Sequence, residues 1–270
     1  MKKRRIRISA LIGAALLLLL LAMVLASFHP AVDPDTMGKP YQRPSAEHWL
    51  GTNDIGQDIF SELLVGSRVS LLVGLSSAAV VLVLSVTMGV CAGYFGGRID
   101  AAVAWLIDLA MTIPSLPLTI VIIAYFGSSL RNIIFIICLT SWAGTARIVR
   151  TRVKQLAQMP FIKLEENMGL PKLRLLLAHI LPNITDIVFI RGVSAVSAAI
   201  LTEAGLSFLG LGDGTMESWG NTLHYAFYRS GVLNGYWWWY LPPTICICLC
   251  SLGFVLLGYS SRRIDANEVG

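Results

Sequence analysis

Long apolar runs alternate with short polar stretches along the chain. A helix needs about 20 apolar residues to cross a bilayer. The pattern predicts six spans, at about Ile8–Phe28, Val69–Tyr94, Ala101–Phe126, Ile133–Val149, Ile184–Leu206 and Tyr236–Tyr259. The fifth is weakened by Arg191, and the third contains Asp108, Pro114 and Pro117. The expected organisation is a basic tail with a first anchor helix over 1–28, an outer segment over 29–68, a membrane domain over 69–260 and a short tail over 261–270. The apolar core of the first run is long, and Ser27-Phe-His-Pro-Ala-Val-Asp33 makes a poor cleavage site, so an uncleaved anchor is expected rather than a signal peptide.

Composition agrees with a lipid setting. The chain is 55% hydrophobic and 14% charged over 270 residues, where soluble domains carry about 25% charge. The net charge of +5 then reads as orientation in a membrane. With an even number of spans both termini share a side. Lys and Arg gather on that side: five in the first seven residues, Arg98, seven from Arg147 to Arg174, then Arg262 and Arg263. Only Lys39, Arg43, Arg68, Arg131 and Arg229 fall on the other. Excess basic charge marks the cytoplasmic face, so both termini are expected there. Basic residues are not interleaved with exposed aromatics, which argues against nucleic acid as a partner. Trp237-Trp-Trp-Tyr240 is expected at the outer lipid boundary, where amphipathic rings anchor a span.

Several chemistries find no support. The one Gly-Lys pair, Gly38-Lys39, lacks the rest of a phosphate-binding loop. Histidines 29, 48, 179 and 224 are scattered, and there is no nucleophile elbow or Cys-x-x-Cys. On a helix Cys246 and Cys250 share a face that Cys248 does not, so the three cannot converge on a metal. No metal site and no cofactor bound by this chain is expected, nor is an enzyme.

One segment breaks the apolar pattern. Met159–Asn183 lies between two spans, carries charge of both signs and holds prolines at 160, 171 and 182. Pro160 can open a helix, and Phe161, Leu164 and Met168 share one face of it. Gly169 is a natural stop, with Pro171 just beyond. Glu165 and Glu166 on the polar face would be repelled by anionic headgroups, which favours a docked protein on that face over a lipid surface.

Gly169, then nine residues, then His179-Ile-Leu-Pro182-Asn resembles the "EAA" motif of bacterial ABC-importer permeases, in the branch that imports peptides or nickel. Other stretches resemble that family in order: His48-Trp-Leu-Gly-Thr-Asn-Asp-Ile-Gly-Gln-Asp-Ile-Phe-Ser61, Gly66–Leu71, Gly93–Asp100, Trp142 with Ala146-Arg147 and Arg150, and Glu203–Gly212 followed by Trp219-Gly220. They depart from it at Lys163-Leu164-Glu165 in place of Glu-Ala-Ala, at Gln57 where Arg is usual, and at Tyr259 where Asp is usual. The chain is similar to the second, C-type permease subunit.

The resemblance implies an all-α, six-span type I permease core (MetI-like) with a coupling helix at about 160–170. Lys163, Glu165, Glu166, Gly169, Leu181 and Pro182 would serve coupling to an ATPase. Implied partners are a second permease subunit, two ATPase subunits that bind the ATP, and an extracytoplasmic substrate-binding protein, in the bacterial cytoplasmic membrane. Asp108, Arg191 and Glu203 are candidates for the pathway or a subunit interface. Arg191 would meet an anionic substrate group or a partner permease, and Asp108 a helix end or neighbouring helix. Pro114 and Pro117 suit either a gate or a static kink. A secondary transporter working alone would call for inverted repeats with interrupted helices, and the sequence offers no such pair. A membrane scaffold would leave the motif series unexplained.

Overall fold

The computed structural model describes the backbone of residues 2–28 and 36–261 and the side chains of 8–28 and 36–260. The expectations for the basic side chains of the first seven residues, for the 29–33 part of the weak cleavage site and for Arg262 and Arg263 lie outside the described residues. The described residues form helices α1 (Lys2–Ala26), α2 (Ile59–Phe95), α3 (Gly97–Thr112), α4 (Ser115–Phe126), α5 (Leu130–Ala157), α6 (Pro160–Asn167), α7 (Lys172–Leu175), α8 (Thr185–Phe208), α9 (Trp219–Tyr228) and α10 (Trp237–Ser261). A π turn (Leu176–Ile180) and a 3-10 turn (Pro182–Ile184) link α7 to α8. Among the described residues the architecture is all-α, with one isolated β-bridge between Thr52 and Asp58.

Five helices are long and apolar enough to cross a membrane, and α3 with α4 makes a sixth pass bent by 83°. The bend falls at Ile113-Pro114, where Pro114 forces its predecessor to an extended ψ of 122° and ends α3. Packing fixes the directions. Val73 clusters with Ile133 and Ile137 near one end of α2, and Val90 with Val149 and Val153 near the other, so α2 and α5 run parallel. The bent pair therefore returns the chain from the end of α2 to the start of α5. Gly74 lies against Ile200 and Gly192 against Leu82, so α8 runs antiparallel to α2. α10 opposes α8 through Ser197 and Ser251, with Gly258 near Val193. α1 opposes α10 where Gly13 meets Gly253. Six alternating passes follow, and they leave residues 2 and 261 at the end that carries α6.

Close approach holds α2 to α5. A Cβ on Gly89 would sit 2.8 Å from the Ala146 carbonyl oxygen, and one on Gly93 would sit 2.7 Å from that of Arg150. Only hydrogen fits at either site, so Gly89 and Gly93 form the contact itself.

Two expectations are corrected. α2 begins at Ile59 rather than near Val69. Ser61, Glu62 and Ser67 end the apolar pattern, yet all three are buried. Asp58 caps the helix by accepting from Ser61 N–H at 2.9 Å. At about 1.5 Å per residue, α2's 37 residues outreach a hydrocarbon core of about 30 Å. The aromatic run is the second correction. Trp237 is exposed, but Trp238 and Trp239 are buried with Trp219, Ile59 and Leu63 in the core beneath the loops. Extra-membrane chain covers them, which a window of sequence does not reveal.

Candidate functional site

The segment between α5 and α8 forms a compact hairpin at one end of the bundle. α6 starts on Pro160, whose missing N–H costs nothing in a first turn. It ends where Gly169 turns left-handed at φ +85°. There the Leu170 N–H reaches Glu165 O at 3.2 Å and the Gly169 N–H reaches Glu166 O at 3.0 Å. These are the paired bonds of a Schellman stop. Farther on, Pro182 cannot donate back to Ala178, and the turn before it widens so that Leu181 N–H bonds Leu176 O at 2.9 Å. Asn183 closes the corner by donating to His179 O at 2.6 Å.

The hairpin rests on the bundle through Leu175, Ile180 and Ile184, all fully buried. Ile180, Ile184, Leu176 and Leu181 pack with Val90, Val149, Val153 and Leu156 of α2 and α5. Rigid helices thus meet the hairpin directly. Ile162 is the residue α6 buries.

α6 exposes residues of both kinds, polar and apolar: Lys163, Glu166 and Asn167 as well as Leu164 and Met168. Glu165 points inward, its Oε2 3.0 Å from His179 Nε2, and the Phe161 ring packs edge-on to the same imidazole. Glu166 is 4.0 Å from Lys172 Nζ. Part of the exposed surface is apolar: Leu164 is 62% exposed and Met168 72%, joined by Phe161, Leu173 and Leu177. Of the two glutamates named for docking, Glu165 is half-buried beside His179 and Glu166 stays exposed. The apolar row lacks cover. Lys163, Gly169 and Pro182 are exposed, and Leu181 is half-buried.

Asp108, Arg191 and Glu203 are not brought together. Asp108 is an exposed residue of α3 that pairs with Arg147 of α5, a helix-to-helix contact. Arg191 lines a cavity of about 160 Å³ between α2, α5 and α8, beside Ser141, Thr145 and Ser194. Glu203 is 2% exposed and accepts from Ser207 Oγ at 2.8 Å and Ser70 Oγ at 3.4 Å, so hydroxyls of this same chain enclose its carboxylate.

Other polar residues emerge only from the fold. Asp100, at the start of α3, holds both Arg150 and Lys154 of α5. Charges at separations of 50 and 54 residues carry no local signal. The His48–Ser61 stretch folds on itself. Asn53 Oδ1 accepts the N–H groups of Ile55 and Gln57 at 3.0 and 2.9 Å, and Asp58 bridges His48 Nδ1 at 3.0 Å. Asp213, after α8, accepts from Leu130 N–H at 3.0 Å and from Thr215. The Thr215 hydroxyl, with the two N–H groups, holds its carboxyl below the usual range against partial burial.

Known proteins resemble this chain in sequence. Residues 85–266 match the family described as binding-protein-dependent transport system inner membrane component. The chain is 33% identical over 261 residues to a dipeptide transport system permease protein of Bacillus subtilis, covering 94% of this chain and 81% of that one. It is 36% identical over 224 residues to the dipeptide transport system permease protein of Alkalihalophilus pseudofirmus, covering 82% and 72%. It is 33% identical over 267 residues to an oligopeptide transport system permease protein of Bacillus subtilis, covering 96% and 86%. The chain belongs to the family of binding-protein-dependent transport system inner membrane components.

Proposed function

We propose that the chain is the C-type permease subunit of an ATP-driven importer of short peptides, forming half of the translocation pathway. The dipeptide and oligopeptide named in its relatives favour peptides over nickel or a metal chelate. One observation supports coupling above all: α6 offers an exposed apolar row on a hairpin seated on α2 and α5. An amphipathic helix with an uncovered apolar face fits a groove in a partner. That partner is an ATPase subunit, one of two, and ATP binds there rather than on this chain. Lys163 and Glu166 flank the apolar row, while Glu165, Gly169, Leu181 and Pro182 fix the hairpin's shape. A second permease subunit completes the pathway, and an extracytoplasmic binding protein delivers substrate. The membrane is the bacterial cytoplasmic membrane, and the α6 end with both termini faces the cytoplasm. By sequence, fifteen of the 21 Lys and Arg residues fall on the side that a six-span chain gives to 159–183, which supports the orientation. In the bundle, Arg191 supplies positive charge for a peptide carboxylate or for the partner permease.

Replacing Leu164 and Met168 together by Asp tests the coupling. We expect the doubly substituted chain to insert normally but to lose ATPase co-purification and peptide uptake. Retention of both at parental level would sink the proposal.

A further inference from the structure

At the end opposite α6 the loops enclose a second cavity, about 360 Å³ in volume, between the 53–57 turn, the start of α2 and the 214–229 segment. That volume is within the range of small-ligand sites. Its charge is lopsided. Asp54, Glu62 and Glu217 line it against one cation, Arg229, and Arg229 Nε already faces Asp54 at 3.2 Å. Gln57, a neutral residue where the family resemblance expects Arg, forms another part of the wall.

Glu62 is the informative group. It lines the cavity while only 8% exposed. Its Oε1 accepts from Asn53 Nδ2 at 2.7 Å, but its Oε2 is buried without a hydrogen-bond partner. A buried carboxyl oxygen left without a partner is costly, and a bound ammonium both removes that cost and holds the group ionised. Tyr225 and Trp239 add aromatic surface to the same cavity. Carboxylate beside aromatic walls suits a primary ammonium, which donates three hydrogen bonds and is attracted to ring faces.

We infer that this cavity binds the protonated amino end of a short peptide, with Glu62 as its counter-ion. The peptide identity rests on the transport function proposed above, whereas the ammonium chemistry rests on the cavity alone. Entering substrate would be oriented here before it reaches Arg191, which lines a separate cavity in the bundle.

Titration of the full chain in lipid nanodiscs with trialanine, N-acetyl-trialanine and n-butylammonium tests this. Trialanine and n-butylammonium should saturate the site, and N-acetyl-trialanine should bind at least about tenfold more weakly. Glu62→Gln should weaken both amines about tenfold or more, since removing one partner of a buried charged pair has effects of that size or larger. Glu217→Gln should weaken both amines by a smaller factor, which covers the case in which Glu62→Gln does not fold. Equal binding of the acetylated peptide overturns the inference. So does unchanged amine affinity in both variants, or no saturable amine binding at all. Peptide uptake by cells with and without the chain separates the two proposals. Uptake that depends on the chain without amine binding sinks this inference alone. Amine binding without such uptake sinks the peptide importer and leaves an ammonium site.

Discussion

The two ends of the bundle are built from similar material in opposite ways. At the α6 end, residues 159–184 turn Glu165 toward His179 and leave Leu164, Met168, Leu173 and Leu177 exposed. At the other end, loops over 37–58 and 209–236 bury Trp219, Trp238 and Trp239 and keep polar side chains around a cavity. An isolated chain gains by covering apolar surface and exposing charge. The α6 hairpin leaves such surface uncovered by the rest of the described chain. The opposite end closes its own core and leaves room for something small.

The contrast predicts which substitutions unfold the chain and which only disconnect it. The largest effect is expected at Trp219, fully buried with its Nε1 donating to Leu63 O at 3.0 Å. Trp219→Ala should cost about 3–5 kcal/mol, read as a fall in the detergent melting midpoint. Gly89→Ala comes next, at about 1–3 kcal/mol, because its Cβ would meet the Ala146 backbone rather than a yielding side chain. Gly169→Ala should cost about 1–2 kcal/mol from the left-handed backbone alone, since nothing lies within 4 Å of the added methyl. That cost should appear as faster proteolysis at residues 160–171 with the bundle intact. Leu164→Ala should change stability by no more than about 0.5 kcal/mol and still reduce ATPase co-purification. A large loss of stability in Leu164→Ala would erase the distinction between the ends.

The smallest effect is one of pH. Hydrogen bonds hold the Asp213 carboxyl below its ordinary value, so its contribution is present above the unfolded pKa of about 3.9 and is lost as pH falls through the lower folded value. Asp213→Asn should therefore flatten the acid limb of the stability curve below about pH 4 and lower the neutral plateau slightly. An acid limb identical to the parent's would mean that Asp213 does not tie the 209–216 loop to α5.

Legibility followed the range of the forces involved. Pro160, Gly169 and Pro182 act within a turn of themselves, so the short helix, its stop and the corner after it could be read from neighbours alone. The six passes were legible too, because apolar length is a local property, and the α3–α4 break falls on Pro114 as its ring demands. The start of α2 was not, since Ser61, Glu62 and Ser67 look like solvent-facing residues until the fold buries them. The aromatic run failed for the same reason. Trp238 and Trp239 are anchors by composition and core by packing.

The sequence by itself determined that this chain is an all-α membrane protein of six passes with a punctuated hairpin between the fourth and fifth, and its motif order determined the family. Only the tertiary structure decided which face of α6 looks outward, that Glu203 is enclosed by serines while Arg191 opens on a cavity, and that Glu62 stands beside Asp54 and Glu217. The physical reason is separation along the chain. Caps, breaks and apolar length are set by neighbours within a few residues. Burial and charge pairing are set by whatever the fold brings across tens to more than a hundred residues.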